Sequence, residues 1–462
     1  MSICFGADHS PEVLRKWAKR RGIFLHPDVA FLVPTKTMGF GVFARKPLSA
    51  GSVIASCPFA TCISPYTEQA TFESPCVKAL VEMHLTDNVL FVVLRLMAEA
   101  VRPSSPWMPW LKACPRMSNH FFDMMVAGPV FGMTASTDFA AAPTTAALLS
   151  WTGPSQQLRE VNVAVRWGAA QEVIRRYPEY WPRESATFEL FCECLAQVFS
   201  RNFHREEIAG REGPYLLPCL DIINHSTTAN ATLEIRGGGR KHPMEFCVVA
   251  ARELCRGEQV FCSYGRIGAS RFAVEFQFIT ESTTREDMLR FSVDVITEMA
   301  LALISIDLES STSTAVDSGV IRRRIEWLQR LGILCDEGFY VLRLPHAEVE
   351  GDKLAASAAA AVAKDVQTMF NVFYLMTVEA SKFDSLTHSI NREWQAVRTP
   401  ELVALVLRVL DMRAEAANAQ LAAAEVYLAE ASHNERKNLL QLSLNSELEM
   451  IQLLRKHVST PR

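Results

Sequence analysis

The chain lacks any uncharged apolar run approaching the ~20 residues that a membrane-spanning helix needs. Its opening, "MSICFGADHSPEV", has no basic stretch followed by an apolar one, so neither a membrane protein nor a secreted one is expected. An excess of one charge is missing too. With 47 Lys+Arg against 51 Asp+Glu the formal net charge is −4, which leaves no electrostatic footprint for nucleic acid or an anionic membrane. The one basic cluster, Arg15-Lys16 with Lys19-Arg20-Arg21, is interrupted by Trp17 and Ala18 and reads as a solvated helix face. Twelve cysteines are present without the paired C-x-x-C spacing of a zinc module, so no metal is expected. They sit in apolar contexts such as "ELFCECLAQVF" and read as buried free thiols of a reducing compartment. No G-x-G-x-x-G opens a helix, which excludes the dinucleotide fingerprint. No regular repeat is present either.

What is there suits a folded protein of two or three domains: 462 residues, of which 49% are hydrophobic. Ser10-Pro11 opens and Gly22 stops an expected helix over 11–21. Strand-like segments follow in "VAFLVPT" (29–35), "GVFARK" (41–46) and "SVIASCPFA" (52–60), separated by glycine-bearing turns. From about 66 to 205 the apolar spacing is helical, as in Phe188, Phe191, Leu195, Val198 and Phe199. Strand character returns in "YLLPCLDIIN", "ATLEI", "EFCVVAARE" and "EQVFCSYG". After about 283 the pattern is almost entirely helical. The class expected is α+β.

Three short stretches carry polar residues where the apolar pattern ends. In "KTMGFGVFARK" two glycines flank Phe40; an ordinary hairpin turn explains that, and so does a ligand approaching bare backbone. In "LLPCLDIINHST" an apolar run ends on Asp221, Asn224 and His225. Such groups are costly in an apolar environment unless every polar atom finds a partner. A satisfied core pair would do, and so would a set of fixed polar groups facing a ligand. In "GEQVFCSYG" Tyr264 ends a strand and Gly265 lets the chain turn away. Alone it reads as a tyrosine with a buried ring and a wet hydroxyl.

Taken in order, "GFGVFA", "DIINHS" and "GEQVFCSYG" resemble the signature of SET-domain protein methyltransferases. More specifically, the chain resembles the subfamily of Rubisco large-subunit methyltransferase and the actin-histidine methyltransferase. "LRKWAKRRG" is similar to the family's Trp-containing entry helix. "SPWMPWLKACP" resembles its W-x-x-Y-L-x-x-L-P segment, with Trp110 in place of the tyrosine, and "FSRNF" at 199–203 resembles the end of its inserted helical region.

The resemblance implies a SET-domain β-core with a helical insertion, followed by an all-α substrate-binding domain. Residues 1–65 would hold the entry helix and first part of the core, 66–205 the insertion, 206–282 the second part of the core, and 283–462 the helical domain. It implies S-adenosylmethionine as cofactor, contacted by Gly39, Phe40, Gly41, Arg201, Asp221, Asn224, His225 and, near the adenine, Phe278. It implies Tyr264 as the catalytic tyrosine, with Arg201, Phe203, Asp221 and Tyr264 lining the substrate channel. Gln277 stands where the family usually has glycine. The bulky Phe203 favours an aliphatic lysine stem over an imidazole. The activity expected is therefore N-methylation of a lysine on a non-histone protein, with no metal, nucleic acid or membrane partner and an oligomeric state left open. A histidine acceptor and a catalytically silent SET-fold adaptor are the alternatives. The expected compartment is the cytoplasm, with the nucleus as a second location.

Overall fold

A computed structural model of the chain describes residues 4–66, 74–118, 120–131, 148–203, 213–238, 243–265, 267–285, 287–308, 318–343, 352–391 and 393–459. The Ala/Thr-rich segment around 134–150 and the break "ESSTSTAVDSG" fall mostly outside them. The chain divides into two compact units, Met1–Phe122 with Asn162–Arg266, and Asp123–Val161 with Ile267–Arg462.

Among the described residues the first unit is built on ten strands: β1 (Phe24–Leu25), β2 (Val29–Pro34), β3 (Phe40–Ala44), β4 (Val53–Pro58), β5 (Asn202–Phe203), β6 (Tyr215–Leu216), β7 (Asn224–His225), β8 (Ala231–Arg236), β9 (Glu245–Ala250) and β10 (Gln259–Cys262). They form two four-stranded sheets, β1-β4-β9-β8 and β2-β3-β10-β7, with β5-β6 as a separate pair. The inner strand β9 is a continuous apolar run, Phe246 to Ala250, buried throughout. Its edge neighbour β8 places Ala231 inside and Thr232 and Glu234 outside, as a strand with one wet face should. In the second sheet every pairing is antiparallel except β7 with β10, which is parallel and sets Asn224 beside Phe261 and His225 beside Cys262.

"YLLPCLDIIN" is not one strand. Pro218 has no N–H for a ladder, and Cys219 takes φ +73°, a conformation costly for a residue with a Cβ. The segment breaks into β6, a 3₁₀ turn over Leu220–Ile222 and β7. That turn puts Asp221 and Asn224 on a tight curve.

Helices frame the sheets. Pro11–Arg20 starts at Ser10, whose hydroxyl accepts the Val13 N–H, and buries Leu14, Trp17 and Ala18. Phe188–Arg201 starts at Thr187, which accepts from Leu190 N at 3.2 Å, and buries Leu190 to Val198. Its last residue is Arg201, so a capped, buried helix delivers that guanidinium.

The second unit packs Val293–Leu308, Ser318–Arg330, Asp352–Thr377, Pro400–Tyr427 and Asn434–Ser459 around one apolar core. Among the described residues its strands are one antiparallel pair, β11 (Met288–Phe291) with β12 (Phe339–Leu342). Phe291 stacks on Phe339 at 4.9 Å and meets Phe373 edge-on at 5.8 Å, seating the pair in the core. Residues 148–161 belong to this unit through Trp151, which is part of its apolar core, and through buried polar contacts. Thr152 donates to Gln420, Gln420 donates to Val130 O, and Gly153 N donates to Glu447 at 2.8 Å. No described helix is long and apolar enough to cross a membrane.

Candidate active site

Strand β10 runs out to Tyr264, and the parallel neighbour β7 brings Asn224 and His225 beside it. The Tyr264 backbone N–H donates to His225 Nδ1 at 3.0 Å, and its hydroxyl donates to the Ile223 carbonyl at 2.9 Å. The two rings lie 5.1 Å apart. Both ends of the tyrosine are thus fixed by the Ile223–His225 stretch. Because Nδ1 accepts, the imidazole proton sits on Nε2. Burial lowers the His225 pKa to about 4, so the ring is neutral at physiological pH. Burial also pushes the Tyr264 phenol well above its ordinary value, with Arg201 opposing that shift. Tyr264 is therefore a protonated donor whose hydrogen is already committed.

Asn224 reaches across to the glycine turn and donates its amide to Phe40 O at 3.0 Å. Gly39 takes φ +64°, and Thr35 N closes the hairpin on its carbonyl at 2.7 Å. Gly41 is buried for a different reason. A Cβ there would stand 2.6 Å from Gln259 Nε2 and 3.2 Å from Asn224 Nδ2, so the bare backbone is what lets the three groups meet. Gly39–Gly41, Asn224 and His225 thus converge in the first unit.

Arg201 and Asp221 form an ion pair with side chains 11% and 0% exposed. Arg201 Nη1 lies 3.1 Å from Asp221 Oδ2 and 3.2 Å from its backbone carbonyl. Burial raises the Asp221 pKa, while Arg201 and the Trp110 indole pull it back. For Arg201, burial acts downward but the surrounding negative partners outweigh it, and the guanidinium stays charged. Phe203, in β5 opposite Tyr215, is half-buried two residues beyond Arg201. Phe278 belongs to the second unit, where it packs on Phe272 at 5.1 Å and Phe276 at 6.3 Å. His204, next to Phe203, lies outside the described residues.

The geometry brings in four residues beyond the expected site set. Trp110 donates to Asp221, Gln197 holds Arg201, and Gln259 sits against Gly41. Buried Asn230 ties the strands together, donating to Gln259 O and accepting from Phe261 N. Only Trp110 carried a signal, as the aromatic standing in place of the tyrosine of the resembled segment.

The polar groups suit a zwitterionic ligand. Asn224 spends its amide N–H on Phe40 O and keeps Oδ1 as an acceptor for an ammonium. Arg201 spends Nε and Nη1 within the protein and keeps Nη2 as a donor for a carboxylate. Among the described residues no cluster of His, Cys, Asp and Glu could hold a metal ion.

Residues 39–265 match the SET domain family model, and the protein carries a SET domain. Among curated proteins it is similar to N-lysine methyltransferase SETD6 of Bos taurus, 21% identical over 73% of this chain and 71% of that one. It is also similar to SETD6 of Mus musculus, 22% identical over 54% of this chain and about half the length of the relative, 50%. In three dimensions it resembles the SET domain of LSMT bound to lysine and AdoHcy, with TM-score 0.59 and 18% identity, covering 97% of this chain and 90% of that one. Rubisco LSMT bound to AdoMet gives TM-score 0.52 at 16% identity over 99% and 94%. The fold is thus the α+β SET fold with a helical C-terminal region, as the motif order implied.

Proposed function

We propose that the protein is an S-adenosylmethionine-dependent protein-lysine N-methyltransferase acting on a non-histone protein. The observation that carries this is the convergence of Asn224 on the glycine turn with Tyr264, whose two ends are pinned by His225 and Ile223. The similarity to lysine methyltransferases supports the acceptor.

When bound, the cofactor supplies an electrophilic sulfonium methyl group. The chain's own residues hold and orient. Gly39, Phe40, Gly41, Asn224 and His225 would hold its amino-acid end, with Arg201 and Asp221 on the carboxylate side. Methyl transfer is an in-line displacement, so aligning the nucleophile is most of the work. A lysine with an ordinary pKa near ~10.4 must arrive as the neutral amine, and apolar walls such as Phe203 favour that form. Tyr264 cannot take the proton, being itself protonated. Its hydroxyl hydrogen points at Ile223 O, which leaves the oxygen's lone pairs to receive an N–H of the amine or a polarised methyl C–H.

The described cysteines are all free, which fits a reducing compartment, and we place the activity in the cytoplasm, with the nucleus as a second location. The test is incubation with S-adenosylmethionine and cell protein, with the modified residue identified by mass spectrometry. Methyl-lysine that depends on Tyr264 is expected. Methyl-histidine would move the reading to the histidine acceptor, and cofactor binding without transfer to the adaptor. In the same assay Tyr264→Phe should lower turnover about 10²-fold, the cost of a misaligned acceptor. It should leave S-adenosylhomocysteine binding intact.

A further inference from the structure

Arg201 has three guanidinium nitrogens, and the structure spends two. Nε donates to Gln197 Oε1 at 2.8 Å, one turn back on the same helix. Gln197 is itself fixed, donating to Pro115 O at 2.6 Å and to Glu193 Oε1 at 2.9 Å, while Glu193 Oε1 also accepts from Met117 N. Nη1 donates to Asp221, once to the carboxylate and once to the backbone. Nη2 has no hydrogen-bond partner among the described residues.

An arginine and a carboxylate left to themselves prefer two parallel N–H···O bonds. Arg201 and Asp221 make only one such bond, and the reason stands next to them. The indole Nε1 of Trp110 lies 3.2 Å from Asp221 Oδ2 and 3.4 Å from Oδ1, straddling the carboxylate. Trp110 is 2% exposed and set edge-on against Trp107 at 6.3 Å, so its ring cannot swing aside.

We infer that Trp110 is a positioning residue: by occupying the Asp221 carboxylate it prevents a bidentate pair with Arg201 and reserves Arg201 Nη2 for the carboxylate of the methyl donor. This rests on the reading of the site given above. Without the indole N–H, Asp221 is free to rotate and capture both Nη atoms, and the donor's carboxylate loses its charge-assisted partner.

The experiment is titration calorimetry of the full chain with two ligands. S-Adenosylhomocysteine carries the carboxylate; 5′-methylthioadenosine keeps the adenosine and thioether without it. Trp110→Phe keeps most of the ring, and Trp110→3-benzothienylalanine keeps the whole bicyclic shape without the N–H, so one of the two retains the fold. Affinity for S-adenosylhomocysteine should fall about 10-fold or more, the loss of one charge-assisted hydrogen bond, while methylthioadenosine binding is unchanged. Adding Asp221→Asn, which offers one carbonyl oxygen instead of two, should restore part of the lost affinity. Equal weakening of both ligands, or no change in either, overturns the inference. Failure of the unmodified chain to bind either ligand overturns the cofactor reading beneath it, an outcome that the variants are not needed to see.

Discussion

Tyr264 stays protonated far into the alkaline range, and His225 stays neutral down to about pH 4. Neither group titrates between pH 6 and 10, so the pH dependence of turnover belongs to the acceptor. A lysine amine near ~10.4 gives a rate still rising beyond pH 8, whereas an imidazole near ~6.5 gives a plateau from about pH 7.5. The measurement is turnover against pH on a peptide or protein acceptor at saturating cofactor. A plateau below pH 8 would contradict the lysine reading. At this scale much was legible in the sequence. Asn224, His225, Tyr264 and the glycines are polar or small where the apolar pattern ends, and the structure brings them together. Gln197 and Gln259 were not legible, because nothing in a helical or strand period marks a glutamine that turns inward.

Among the elements, the strands bracketing the site declare themselves by β-branched and aromatic runs, while two stretches do not. The break at Pro218-Cys219 depends on a positive φ that cysteine does not advertise. Strands β11 and β12 are four residues each, flanked by long helices, and their pairing spans about fifty residues that no local pattern connects. A related backbone feature lies after the π-helical turn Phe272–Phe276. Gln277, standing where the resembled family has glycine, adopts φ +59° and ψ 32°. That conformation costs a residue with a Cβ roughly 1–2 kcal/mol. Glycine would remove the cost while adding roughly 0.5–1 kcal/mol of chain entropy to the unfolded state. Gln277→Gly should therefore raise stability by roughly 0.5–1 kcal/mol in chemical denaturation. A loss of stability would mean that the Gln277 side chain contributes more than its backbone costs.

On the scale of the whole molecule, the sequence places 123–161 inside the span matched by the SET domain, yet the described part of this stretch compacts with the C-terminal helices. The link joins an apolar anchor, Trp151 in the core of the C-terminal helices, to buried polar contacts, and the polar contacts leave no mark in hydropathy. Glu447 accepts from Gly153 N and from the fully buried Arg413, joining Gly153–Val161 to Pro400–Tyr427 and Asn434–Ser459. Breaking a buried pair strands a charge, so Glu447→Gln should cost about 3–5 kcal/mol. Thermal or urea unfolding would measure it, and a change below about 1 kcal/mol, the range of exposed pairs, would contradict the role given to this contact.

Methyl transfer by this chain requires that the first unit hold a methyl donor between the glycine turn and Asn224. Titration calorimetry of the purified chain with S-adenosylmethionine, beside Asn224→Ala, tests that directly. The expected result is binding near the micromolar range, about −8 kcal/mol, weakened at least tenfold in the variant while circular dichroism shows the same fold. A folded wild type that binds no cofactor would contradict the account.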